Sequence, residues 1–158
     1  MITNIIEDVK ERQKSRRRVG SAEETAFLDL WRPADILSRG PARVIKTADL
    51  SPTQYNVLRI LRGAPGDLPC GEIGNRMITR DPDITRLLDR LEKRGLISRC
   101  RETKDRRMVM ARITPEGLKL LARLDEPVQE IHRKQLGHLG EKRMQALADL
   151  LQECRART

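Results

Sequence analysis

At 158 residues the chain is long enough to bury the core of one ordinary domain without disulfide or metal staples. Hydrophobic residues make up 38% and recur periodically, which argues against a disordered chain although 35% of residues are charged. Lys and Arg outnumber Asp and Glu 32 to 23, a net charge of +9, which points to a polyanionic partner, with a merely solvated basic surface as the alternative.

The N-terminus, "MITNIIEDVKERQKSRRRVG", lacks the apolar core of a signal peptide, and no apolar run in the chain is long enough to span a bilayer. Residues 1–20 read as a basic arm: Lys10 to Arg18 hold six cations against Glu11 alone, suited to phosphates or to a partner, or simply to solvent. "SAEE" (Ser21 to Glu24) has capping-box form and predicts a helix carrying Phe27, Leu28, Trp31 and Leu37 up to Gly40-Pro41. Pro33 is expected to kink or break it.

Three later helix starts share a capping side chain followed by proline: Ser51-Pro52, Asp81-Pro82 and Thr114-Pro115. The first opens a helix with Tyr55, Leu58 and Leu61, which stops at "GAPGD". "CGEIGNRM" is a short helix, followed by a recognition-type helix over 81–94 in which Ile84, Leu87, Leu88 and Leu91 fall at i, i+3, i+4 and i+7. Gly95 supplies its left-handed C-cap. Two such helices a few residues apart form a helix-turn-helix.

"LISRCR" and "MVMARI" follow as two strands; in the second, Val109, Ala111 and Ile113 share one side. Between them 102–108 forms a charged hairpin tip, so the pattern is a winged helix. Two helical stripes finish the chain, Leu118, Leu121, Leu124, Val128 and Ile131, then Met144, Leu147, Leu150, Leu151 and Cys154, with Pro127 expected to bend or interrupt the first. Such a small domain has no core left for both, so an intermolecular interface is expected, with an internal helix bundle as the alternative.

With its apolar stripe inward, the recognition helix turns out a face centred on Arg86, the candidate for two bonds to a guanine edge. Thr85 suits a thymine methyl group or a phosphate, Asp83 flanks the same face, and Arg80 and Arg90 are placed for phosphates. On the tip, Lys104, Arg106 and Arg107 can follow the backbone or enter a narrow minor groove, with Asp105 bracing an arginine. With Phe27, Trp31 and Tyr55 as the only aromatics, stacking on single strands is poorly served and duplex DNA is the expected partner.

These segments, "LSPTQYNVLRIL", "EIGNRMITRDPDITRLLDRLEKRGLISR" and "KDRRMVMARITPEG", resemble the MarR family of winged-helix transcription regulators. The resemblance implies a mainly α fold with a small β-hairpin, a winged helix-turn-helix (51–115) flanked by dimerisation helices at 21–50 and 116–158. It implies a cytoplasmic homodimer, a repressor or activator, on pseudo-palindromic operator DNA, with Arg107 in the minor groove and Asp105 and Asp89 orienting the wing. Family members usually answer to small phenolic or other aromatic effectors or to oxidants. Phe27, Trp31 and Tyr55 are the candidate effector-pocket residues, with packing in a core as the alternative.

Cys70, Cys100 and Cys154 lie far apart and form no CxxC, so neither disulfides nor a thiolate zinc site is expected, and none stands where oxidant-sensing members of the family carry theirs. His132 and His138 stand alone, so no metal is expected. No nucleophile triad or glycine-rich phosphate loop appears, so neither enzyme chemistry nor a cofactor is expected. The competing reading is a non-specific architectural or RNA-binding winged-helix protein.

Overall fold

Side-chain caps set where four of the helices begin in the computed structural model, which describes residues 20–79, 83–102 and 108–156. The chain divides into two units, residues 1–38 and 39–158. Helix α1 (Ala22–Lys46) starts where the Ser21 hydroxyl accepts from the Glu24 N–H at 3.2 Å. It runs unbroken through Pro33 and Pro41, contrary to the expectation of a break. Each proline removes one donor, while the turns on either side keep their own bonds.

In the larger unit, α2 (Pro52–Arg62) carries the full capping box: Ser51 accepts from the Gln54 N–H, and the Gln54 side chain accepts from the Ser51 N–H. Strand β1 (Leu68–Pro69) leads directly into α3 (Cys70–Arg76). Helix α4 spans Ile84–Lys93, and its cap is Asp83, whose carboxylate accepts from the Arg86 N–H at 3.1 Å. The expected cap, Asp81, with Pro82, lies outside the described residues. Gly95 takes the left-handed conformation, φ +69°, that ends α4 and turns the chain into β2 (Ile97–Arg101).

Strand β3 (Val109–Ile113) pairs antiparallel with β2, Arg99 opposite Ala111, and on its other edge with β1, Leu68 opposite Ala111. The sheet order is β1-β3-β2. The hairpin was legible; the two-residue β1, too short for any alternation, was not. Helix α5 (Pro115–Leu136) is capped by Thr114, whose hydroxyl accepts from the Gly117 N–H and donates to the Gly95 carbonyl. A side chain at Gly117 would place Cβ 2.3 Å from the Leu96 carbonyl oxygen, so glycine lets α5 start against the base of the hairpin. After a short 3-10 turn (Gly137–Leu139), α6 covers Glu141–Ala156.

One core joins these elements: Val57, Leu58 and Leu61 of α2, Ile73 of α3, Leu87, Leu88 and Leu91 of α4, Ala111 of β3, and Leu120, Leu121, Leu124 and Val128 of α5. The paired fate expected for the two C-terminal stripes is therefore corrected. Leu121, Leu124 and Val128 are buried within the chain where α5 packs against α2, while Leu118 is exposed and Ile131 half-buried. The α6 stripe is open: Met144, Leu147, Leu150 and Leu151 are all exposed and α6 buries nothing. Pro127 sits inside α5 without ending it, for the reason that holds in α1. No helix among the described residues is long and apolar enough to cross a membrane.

Candidate nucleic-acid interface

Burial of Leu87, Leu88 and Leu91 leaves Thr85, Arg86 and Arg90 on the outer face of α4. Arg86 is 78% exposed, and its Nε lies 3.0 Å from the Asp83 carboxylate, the group that also caps the helix. One aspartate thus fixes the helix start and steers the guanidinium. Arg90 lies one turn further along the same face.

The other flank of α4 is tied to the wing. Arg99 of β2 donates from Nη2 to Asp89 at 2.5 Å and to Glu92 at 2.6 Å, and from Nε to Glu92 at 3.0 Å. The Arg99 backbone N–H adds a fourth bond, 2.9 Å to the other Glu92 oxygen. The Arg99 side chain is only 20% exposed, although its carboxylate partners are open to solvent on one side. The Arg99 guanidinium bonded to it holds the Glu92 carboxyl below its ordinary 4.5. Asp89, expected to orient the wing, bonds Arg99 in the middle of β2.

At the open end of the hairpin the Glu102 N–H donates to the Met108 carbonyl at 2.9 Å. The tip residues Lys104, Asp105, Arg106 and Arg107 lie outside the described residues, as do Arg80 and the basic arm. On β3, Arg112 donates to Asp67 at 2.6 Å, fixing the sheet to the loop before β1.

Three further residues fasten the helix-turn-helix. Arg94, at the end of α4, donates to the carbonyls of Asp49 at 2.5 Å and Ala48 at 3.1 Å, in the corner between α1 and α2. Arg62 of α2 makes a two-pronged bond to Asp125 of α5, at 2.7 and 3.0 Å. Asn56 of α2 accepts from the Ile78 N–H, just after α3, at 3.1 Å. None of these links, nor the Arg99 pair, was foreseen. For Arg99 a signal existed: two carboxylates one turn apart on an otherwise basic helix, and an arginine four residues past its glycine stop.

Of the aromatic candidates, Tyr55 is buried in the core, with the Arg59 guanidinium 5.9 Å from its ring. Phe27 and Trp31 on α1 pack at 5.4 Å between ring centres yet remain 55% and 63% exposed. Cys70, at the start of α3, is half-buried; burial pushes its thiol above the ordinary value, so the thiolate needed for oxidant sensing is disfavoured. His132 and His138 are exposed, and among the described residues no three His, Cys, Asp or Glu side chains gather as metal ligands do.

A helix-turn-helix with a three-stranded wing, an outward basic face on its second helix and a braced arginine on that face defines the winged-helix class of DNA-binding protein. Residues 50–109 match the MarR family. The chain is 33% identical to the transcriptional regulator FarR of Neisseria gonorrhoeae over 110 residues, 70% of this chain and 75% of that one. It superposes on the crystal structure of a MarR transcription factor from Planctomyces limnophilus with a TM-score of 0.64 and 40% identity, covering 85% and 98% of the two chains. NadR in complex with 4-hydroxyphenylacetate gives a TM-score of 0.68 and 29% identity over 89% of this chain and 96% of that one. The chain belongs to the MarR family, whose members are transcription regulators and not enzymes.

The Glu92–Arg99 bond has a testable consequence. Because the folded carboxyl binds its proton less tightly than the unfolded one, its stabilisation is complete above pH 4.5 and is lost as pH falls through the lowered folded value. Glu92 is 37% exposed, so screening limits this to about 1 kcal/mol or less. Urea denaturation at neutral pH should show Glu92→Gln less stable than the parent, with the gap closing below pH 4.5. A gap unchanged by acid would contradict the assignment.

Proposed function

We propose that the protein is a homodimeric regulator that binds a pseudo-palindromic operator, reading the major groove with α4 and the minor groove with the 102–108 wing, and that a small aromatic or phenolic effector releases it. The observation that carries the proposal is the outward face of α4, where Arg86 is exposed and braced by Asp83 beside Thr85 and Arg90. In this arrangement Arg86 donates to a guanine edge, Thr85 meets a thymine methyl group or a phosphate, and Arg80 and Arg90 fix register on phosphates. Arg107 enters the minor groove with Asp105 bracing it, Lys104 and Arg106 hold the flanking backbone, and Asp89 steadies the wing through Arg99.

Dimerisation is supported by two exposed apolar faces in the regions assigned to it, 21–50 and 116–158. One is formed by Phe27, Leu30 and Trp31 on α1, the other by Met144, Leu147, Leu150 and Leu151 on α6. A lone monomer would leave both in water. Arm residues 10–18 carry a net +5 and add phosphate contacts outside the wing. The regulator acts in the cytoplasm, where its DNA is. The effector reading rests on the 4-hydroxyphenylacetate bound by NadR and on the exposed Phe27–Trp31 pair.

Gel shifts with the DNA upstream of the protein's own gene, against a scrambled duplex at moderate salt, separate this from an architectural or RNA-binding role: equal affinity for the two duplexes would sink the regulator proposal. Arg86→Ala should cost roughly 1 to 3 kcal/mol on the operator and relax its specificity there, and Arg107→Ala should also weaken operator binding.

The effector is tested with 4-hydroxyphenylacetate as the probe, following the fluorescence of Trp31, the single tryptophan, and operator binding in parallel. Saturable change in both is expected. A flat titration with undiminished operator binding would remove phenolic acids from the proposal.

A further inference from the structure

Ile78 is the most exposed large hydrophobic among the described residues, 84% accessible. The other exposed apolar side chains lie on α1, α5 and α6 or at the end of the wing; Ile78 alone sits between the two helices of the helix-turn-helix. Its position is built. Ile73 and Met77 are buried beneath it, and Met77 ends α3 in an extended conformation that carries the chain outward. The Ile78 N–H is then fixed at 3.1 Å by the Asn56 side chain from α2. Asn56 thus holds the backbone of a residue whose side chain adds almost nothing to the core.

Given the major-groove docking of α4 proposed above, on which this rests, we infer that Ile78 is a specificity-determining residue that packs against thymine C5-methyl groups in the operator. The turn before a recognition helix lies beside the end of that helix that reaches the base edges. Thymine is the base that offers a methyl group there, and it takes apolar contacts. A β-branched side chain has few rotamers to lose, so isoleucine on a tethered backbone docks at small entropic cost. Burying one methyl group corresponds to about fourfold in affinity. Asn56 is the positioning residue, acting through the Ile78 backbone.

The test is a cycle between protein and DNA. Operator duplexes carrying deoxyuridine in place of each thymine in turn lose only the methyl group. The parent should bind about fourfold more weakly when one particular thymine of each half-site is replaced. Ile78→Ser should bind the normal operator that much more weakly and no longer respond to that replacement. Ile78→Val, which loses the terminal methyl but keeps both carbons branching from Cβ, should retain the response. All three should share a thermal midpoint, since the side chain is in water.

Asn56→Ala should blunt the thymine response while Ile78 is still present. Two results overturn the inference: Ile78→Ser binding the operator as tightly as the parent, or binding more weakly with its response to every deoxyuridine position intact. Equal binding of the parent to operator and scrambled duplex would instead overturn the proposed function, and this inference with it.

Discussion

A single guanidinium joins helix α4 to the hairpin. Arg99 lies in the middle of β2 and donates to Asp89 and Glu92, one turn apart on α4, while its backbone N–H bonds Glu92 as well. Rotation of α4 about its axis would break bonds to both carboxylates, and a shift of β2 along its length would break the backbone bond. Helix α4 and strand β2 are therefore fixed to each other, as the two-groove reading proposed above requires. The acidic residues on this basic helix, Asp89 and Glu92, are its anchors to the hairpin.

The same α4 is fixed at its far end. Arg94 grips the Ala48 and Asp49 carbonyls at a corner where Asp49 itself adopts φ +54°, a conformation unusual for a residue other than glycine. The corner and the end of α4 are thus bonded directly to each other. Arg62 and Asp125 do for α2 and α5 what Arg99 does for helix and wing. With no buried charged residue among those described, the interior is apolar packing and orientation is set by ion pairs at its rim.

How much of this was legible in the sequence follows from the range of each interaction. Caps at Ser51 and Thr114 and the glycine stop at Gly95 are local, and local spacing revealed them. The apolar period of α4 identified Leu87, Leu88 and Leu91 as buried and so placed Arg86 outward. Links between residues far apart in the chain, Arg94 to Asp49, Arg62 to Asp125 and Asn56 to Ile78, have no periodic signature and were missed.

At Pro33 and Pro127 the interruption that the sequence allowed does not occur, because long helices keep their bonds on either side of a proline. Charge patterning did not distinguish cations that reach outward, such as Arg86, from those, such as Arg99, that are spent on bonds within the protein.

The most direct measurement is a hydroxyl-radical footprint of Arg99→Gln beside that of the parent on the same operator. If Arg99 makes helix and wing one body, the variant should keep protection where α4 sits and lose it at the minor-groove positions covered by the wing. A variant footprint identical to the parent's at both places would contradict that claim.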